Sequence, residues 1–544
     1  MKPIRRNSMS TLMVIFAISV SLASLVACKA IGTPVVSPNS NNPAEVASLR
    51  PGDAPTATLP VEDPTPGSPV PASCPSDNSP ESDKYYVDNR MIVIGTAQYV
   101  MADDSELKLA QLIKDKCEVS LELEYDGRHF SLPESADGSV RYWGVVDIVN
   151  SLEIVDMERL TDCITVKAEE GDVIAAPDYY TQSSTGGGAP WPGIPVPTGP
   201  GGPVTDANYK SQPAFTIMNY PSANRTSGGS GVTIGIMDTA PLPWTDSAPY
   251  IYAVNSGPSL MFDVDFWPPS RIGTNSGLLA NPTVFTALEL NFPNHGVFVA
   301  GIAHTFAPDA KISLYQVLND AGRGHESDLQ NAMLSFGGSA PGTPKVLNLS
   351  LVDRTKIYGV DPTTCPNATH VTNSVFISVT NTLIGQGVIV VAAAGNGGTA
   401  TQLGEQQVPA SSPEIIGVMG VAGTPGAAVH RSNFSSCGDT AAAAGEGNAA
   451  TGSIVLTDAI VSGFWDKGGQ YYVGWAGTSF AAPIISAVAA RELSQWKRSG
   501  CSPTVVSDNQ SAFRTRLGTH IQAGTIAGSV SGVVDIAAFD SVCP

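Results

Sequence analysis

The chain predicts an α/β fold, a mostly parallel sheet covered by helices on both faces, with a small α+β unit ahead of it. Two observations carry this. From about Val204 to Pro544, strand-like apolar runs at Val232–Met237, Ile312–Leu318, Val346–Leu351, Val388–Ala393 and Ile415–Val421 alternate with helical patterns at His295–His304, Glu326–Ser335 and Ser374–Leu383. Continuous apolar runs suit strands buried on both faces, and intervening helices are how parallel strands are joined. The second observation is composition. Hydrophobic residues make up 42% of 544 and charged residues 14%, enough for a sizeable core and too apolar for wholesale disorder. With 49 acidic against 29 basic residues the net charge is −20. That balance argues against a nucleic-acid binder, which needs a basic stripe. The acidic surface keeps the chain soluble, and a monomer is expected.

Taken in order, the chain opens with Lys2, Arg5 and Arg6, followed by an apolar stretch from Met9 to Val26. A basic flank, a short apolar run and small residues before a cut define an export signal. The closing Leu25-Val26-Ala27-Cys28 resembles a bacterial lipoprotein lipobox. That resemblance implies removal of residues 1–27, lipidation of Cys28 and anchoring of an exported protein to the cell envelope, since one lipidated terminus anchors without spanning. An ordinary signal peptide cut at a small residue is the alternative.

Residues 28–84 read as a tether, with twelve prolines between Ile31 and Pro80 and no aromatic between Lys29 and Lys84. Residues 85–182 have globular composition. A strand is expected at Met91–Ile94, a helix at Asp104–Lys116, and a hairpin from Val119 to Leu132 turning at Asp126-Gly127. A second helix is expected over Val145–Leu160 and a last strand at Ile164–Ala168. Residues 183–203 hold seven glycines and six prolines, a linker open to proteolysis. Residues 204–544 form the large domain.

Eight cysteines occur, and lipidation of Cys28 leaves seven. Cys117 with Cys163 and Cys501 with Cys543 are local pairs, Cys365 and Cys437 are left to each other, and Cys74 falls in the tether. Spacing alone leaves the connectivity open. No cysteine–histidine spacing suits a metal, and none is expected. His129, His304, His325, His370, His430 and His520 lack motif context and read as structural or surface residues.

Four stretches carry chemistry. Asp238 closes the strand Val232-Thr233-Ile234-Gly235-Ile236-Met237, at the carboxyl end where α/β sheets place ligands. His295 opens the helix of Asn294-His295-Gly296-Val297-Phe298-Val299-Ala300-Gly301. Asn396 stands between glycines after the strand Val390–Ala394, where its amide can donate to a developing oxyanion. Ser479 lies in Gly477-Thr478-Ser479-Phe480-Ala481-Ala482-Pro483, at the start of a helix whose first N–H groups are free to bind negative charge. Taken singly, these are a turn aspartate, a helix-start histidine, a turn asparagine and a helix cap.

Together they resemble the subtilisin-like serine proteases, the subtilases, in motif and in chain order. The intervening Leu314–Leu318, Asn348-Leu349-Ser350-Leu351 and Phe434-Ser435-Ser436 extend the resemblance over most of Val204 to Leu493. It implies a three-layer subtilisin-like domain hydrolysing protein or peptide substrates, with a catalytic Asp238–His295–Ser479 triad and Asn396 in the oxyanion hole. Ser350-Leu351-Val352 resembles the strand that pairs with extended substrate, facing Ala393-Ala394-Gly395 across the pocket. No cofactor is implied; the segment Val299–Pro308 is too short for the calcium loop many relatives carry. The sequence departs from the family at Ala240, Val297, Phe298 and Val352. Residues 85–182 resemble the family's inhibitory propeptide, with Val173–Tyr180 as the tail that fills the cleft. This implies a self-processing zymogen cut between about Tyr180 and Gly188. The alternative is a catalytically weak or inactive surface binding protein of the same fold.

Overall fold

Apolar residues on both faces of the small unit's strands decide how it is built. In the computed structural model, β1 (Tyr86–Gly95), β2 (Leu123–Ser131), β3 (Tyr142–Ile148) and β4 (Val173–Ser183) form one antiparallel sheet in the order β4-β1-β3-β2. Side chains alternate across it. Met91, Val93, Val146 and Val173 face α1 (Ser105–Cys117) and α2 (Met157–Lys167). Ile92, Ile94, Trp143, Val145 and Ala176 face the large domain and join its core.

The described residues are 86–132, 140–149, 156–167, 172–183, 198–199, 202–203, 209–239, 250–253, 261–267, 295–318, 322–339, 342–353, 373–399, 404–423, 428–448, 453–455, 458–466, 469–499, 506–522 and 532–539. All belong to one compact unit, Ala72–Pro544.

The large domain is laid on a nine-stranded sheet. Its strands are β5 (Thr233–Asp238), β6 (Tyr250–Ala253), β7 (Met261–Trp267), β8 (Lys311–Gln316), β10 (Lys345–Leu349), β12 (Ile389–Ala393), β13 (Ile416–Ala422), β14 (His430–Arg431) and β15 (Thr440–Ala443). The order is β14-β13-β12-β10-β5-β8-β7-β6, with β15 beside β13. All pairings are parallel except β14 and β6 at the two edges. Two short strands, β9 (Arg323–His325) and β11 (Leu351–Asp353), lie outside this sheet and join the small unit's sheet through β4. Helices α3 (His295–Phe306) and α6 (Thr478–Ser499) cover one face, and α4 (Glu326–Gly338) and α5 (Ser374–Gly385) the other. A hairpin, β16 (Ile460–Asp466) with β17 (Gly469–Trp475), leads into α6.

The predicted architecture therefore holds, with three corrections in the small unit. No hairpin turns at Asp126-Gly127. β2 runs through as a bulge with Gly127 at φ 84°, and its partner is β3. Val145–Ile148, expected to start a helix, belong to the strand Tyr142–Ile148, because both faces are buried and the pattern loses its alternation. Ile164 lies in α2, whose Met157, Leu160 and Ile164 form one buried stripe at helical spacing. At the linker, β4 extends to Ser183, and Thr198–Gly199 pairs with Gly202–Pro203.

Candidate active site

Asp238 and His295 meet at the carboxyl end of the parallel sheet. β5 delivers Asp238 and α3 begins at His295; both side chains are fully buried. Nδ1 of His295 lies 2.8 and 2.9 Å from the two carboxylate oxygens. A carboxylate can only accept there, so Nδ1 carries the proton of this contact. Close approach depends on Gly296, where a Cβ would stand 2.1 Å from the carbonyl of Thr239. Thr239 locks the corner. Its N–H and hydroxyl donate to Asp238 Oδ1 (2.6 and 3.3 Å), and its Oγ1 accepts from Gly296 N–H (3.0 Å). Val297 and Phe298, the departures from the family motif, are both core residues. Phe298 packs edge-on against Trp475 and Phe480, which in turn contact the His295 ring. Ala240 lies outside the described residues.

Asn396 and Ser479 converge from the other side. Asn396 follows Gly395, whose φ of 102° and contact with Gln407 (a Cβ would be 2.2 Å from its Oε1) admit only glycine. Asn396 Oδ1 accepts from both N–H and Oγ1 of Thr478, each at 3.0 Å. Ser479 occupies the first turn of α6. Its Oγ donates to the carbonyl of Ser350 at 3.4 Å, and Ser350 Oγ donates back to the carbonyl of Ser479 at 2.7 Å. Nε2 of His295 is buried and has no hydrogen-bond partner among the described residues.

The predicted pocket walls lie beside this group. Ser350, Leu351, Val352, Ala393 and Ala394 are all buried. β4, the tail of the small unit, is laid between β9 and β11 as an antiparallel strand. Tyr180, Thr181 and Gln182 pair with His325, Gly324 and Arg323. Thr181, Gln182 and Ser183 pair with Asp353, Val352 and Leu351. The tail is anchored just upstream by Asp178, fully buried, whose oxygens accept from Ser327 N–H (2.8 Å) and Oγ (2.7 Å) in the first turn of α4. Burial pushes the Asp178 carboxyl up, against the lowering by His325, Ser327 and Arg128. His325 is thus an interface residue, its Nδ1 3.9 Å from Asp178 and its ring against Tyr180. Arg128 pairs with Asp328 and donates to Ser327 Oγ (3.4 Å), and Trp143 Nε1 donates to Gln330 Oε1, so with Asp178–Ser327 four polar residue pairs fasten the small unit to α4.

Sequence reasoning named the four chemical groups and the walls; Thr239, Thr478 and Asp178 stand within or beside its motifs without a role assigned to them, and Trp475 lies outside them. The signal peptide 1–27, Cys28, the tether and, of the interval 180–188 expected to hold the cut, residues 184–188 lie outside the described residues. So do Cys74, Cys365, Cys501 and Cys543. Cys117 and Cys163 are disulfide-bonded, and Cys437 is bonded to a cysteine outside the described residues. Among the described residues no group of three acidic, histidine or cysteine side chains could hold a metal ion, and no helix is long and apolar enough to cross a membrane.

Residues 229–509 match the model of the subtilase family, peptidase S8. Over 298 residues the chain is 27% identical to a subtilisin from Bacillus sp. (strain TA39), covering 52% of this chain and 60% of that relative. Among solved structures, fervidolysin from Fervidobacterium pennivorans, a keratinolytic enzyme related to subtilisin, aligns at a TM-score of 0.50 and 15% identity. That alignment covers 85% of this chain and 62% of fervidolysin. A protease from Pseudoalteromonas arctica PAMC 21717 is 21% identical over 61% of this chain and 99% of its own, at a TM-score of 0.40. The chain spans about 60% of the length of the first two relatives, and the structural likeness is one of fold. With the family model matched over more than half of its length and the family's residues gathered at one sheet end, this chain belongs to the subtilase family.

Proposed function

We propose that the chain is an exported serine endopeptidase, made as a zymogen and held to the cell envelope by a lipid on Cys28. In this reading Ser479 Oγ attacks the carbonyl carbon of a peptide bond while its proton passes to Nε2 of His295. Asp238 holds Nδ1–H and steadies the imidazolium. Asn396 and the N–H of Ser479 donate to the oxyanion. As the C–N bond breaks, His295 returns the proton to the leaving amine. Water then enters by the same steps, forming a free carboxylate and restoring the Ser479 hydroxyl. No cofactor is needed for this sequence.

The observation that carries the reading is the strand Tyr180–Ser183 lying between β9 and β11. An extended peptide is held by main chain on both sides, which gives affinity with little sequence preference. The last described pair of the β4–β11 ladder is Ser183 with Leu351, the residue after Ser350, whose carbonyl is 3.4 Å from Ser479 Oγ. The bond proposed for self-cleavage lies just beyond that pair, at Ser184–Thr185. The small unit acts as inhibitor, and its contacts with α4 retain the cleaved catalytic domain on the anchor.

A fluorophosphonate probe tests this on the chain expressed without residues 1–27. The wild type should be labelled, Ser479→Ala should not, and mass spectrometry should find the wild type cut after Ser184. A wild type that stays unlabelled, both intact and after limited proteolysis within 184–208, overturns the reading and leaves a surface binding protein of subtilase fold.

A further inference from the structure

We infer that Asn348 and Ser486 are positioning residues for Ser479, acting through Ser350 along a directed chain of hydrogen bonds; the inference rests on the protease reading above. Its origin is Pro483. In a regular helix the carbonyl of Ser479 would accept from the N–H four residues on, and proline has none. The hydroxyl of Ser350 takes that place, donating to the Ser479 carbonyl at 2.7 Å. Ser350 has one hydroxyl proton and has committed it, so toward Asn348 it can only accept, and Asn348 Nδ2 donates to it at 2.9 Å. That sets the amide, turning Oδ1 to the hydroxyl of Ser486, which donates at 3.0 Å.

All four residues are completely buried. A buried asparagine in β10, whose neighbours Val346, Leu347 and Leu349 are apolar, costs free energy unless its amide is paired, and here both ends are. The chain leaves α6 at Ser486, crosses β10 at Asn348 and returns to the first turn of α6. Ser350 immediately precedes β11, the strand that holds the bound peptide. The position of the nucleophile along its helix is thereby tied to the edge on which the peptide lies. Alignment of attacking oxygen and carbonyl is a property to which rate is steeply sensitive.

The test compares fluorophosphonate reaction rates, and kcat and KM on a peptide substrate, for wild type, Ser486→Ala, Ser350→Ala, Ser350→Thr and the double alanine variant. Thermal unfolding is followed for each. Ser486→Ala loses one neutral hydrogen bond and Ser350→Ala two, which predicts rates about 3-fold lower for the first and about 10-fold lower for the second, in kcat and not KM. Ser350→Thr keeps the hydroxyl and should restore most of the rate. Because the residues act in series, the double variant should be no slower than Ser350→Ala alone. Wild-type rates in the single variants, or losses that multiply in the double variant, overturn the inference. If Ser350→Ala fails to fold, Ser486→Ala decides alone, by a fall in kcat at unchanged unfolding temperature. An unreactive wild type is a separate result; it overturns the protease reading and the positioning role with it.

Discussion

Asn396 Oδ1 is held by two donors of one residue, the N–H and the hydroxyl of Thr478. Since a backbone N–H can only donate, the amide's oxygen must face Thr478, and its NH2 is turned the other way. The orientation an oxyanion donor needs is therefore set before substrate arrives. Asn396→Ala is expected to lower kcat by about 10²- to 10³-fold with little change in KM, the loss measured for one such donor in subtilisin. Thr478→Val leaves one of the two donors and should cost about 3- to 10-fold. Steady-state kinetics on the matured protein check both, and equal losses in KM and kcat would argue against preorientation.

Thr181 gives a second prediction. It is 1% exposed in the groove beside Gly324, and its hydroxyl has no hydrogen-bond partner among the described residues. An unpaired buried hydroxyl costs about 1–3 kcal/mol. Thr181→Val keeps the branched shape without the hydroxyl, so the tail should hold about 5- to 150-fold more tightly. Activity should then appear more slowly after maturation, at an unchanged final level. Faster appearance would mean that the hydroxyl is paired in solution.

How far the sequence could be read depended on where a residue's partners lie. Asp238, His295, Asn396 and Ser479 each sit at the end of an element among neighbours with narrow steric demands, such as Gly296 and Gly395, so short motifs single them out. Asn348 stood in a quoted stretch, yet its role depends on Ser486, 138 residues away, which no local pattern reports. Val145–Ile148 look helical in sequence for a related reason. Their second apolar face is covered by helices of the large domain, and alternation disappears when both faces are buried.

Asp178 makes docking of the tail depend on pH. Burial raises its carboxyl pKa in the assembled protein, so the proton is held more tightly there than in a freed tail. Protonation therefore favours the docked state. The contribution is complete below the free carboxylate value of about 3.9 and is lost as pH rises through the raised one. The charged groups that act on it, His325, Arg128 and Arg90, are common to wild type and variant. After cleavage, the small unit should dissociate faster as pH increases over that window. Asp178→Asn keeps an acceptor for Ser327 N–H and should flatten the profile. Dissociation rates by size-exclusion chromatography at several pH values measure this, and an unchanged slope in the variant would remove Asp178 as its source.

His304, in the last turn of α3, sets an acid limit on the large domain. Burial pushes its imidazole down to about 4 from the ordinary 6.5, although Asp309 pulls the other way. The folded chain thus prefers the neutral ring, whereas the unfolded chain takes up a proton as pH falls below 6.5. Stability from this group is complete above pH 6.5 and is lost between there and about 4. The loss is at most about 3 kcal/mol at 1.36 kcal/mol per unit. His304→Gln has no proton to take up. The difference in unfolding free energy between wild type and variant should therefore shift in the variant's favour as pH is lowered through that interval, and stay constant above it. Chemical denaturation at pH 7.5, 6, 5 and 4, with circular dichroism as the signal, gives that difference directly. A constant difference across the range would show that the ring is protonated in the folded protein as readily as in the unfolded chain, and that burial does not control it.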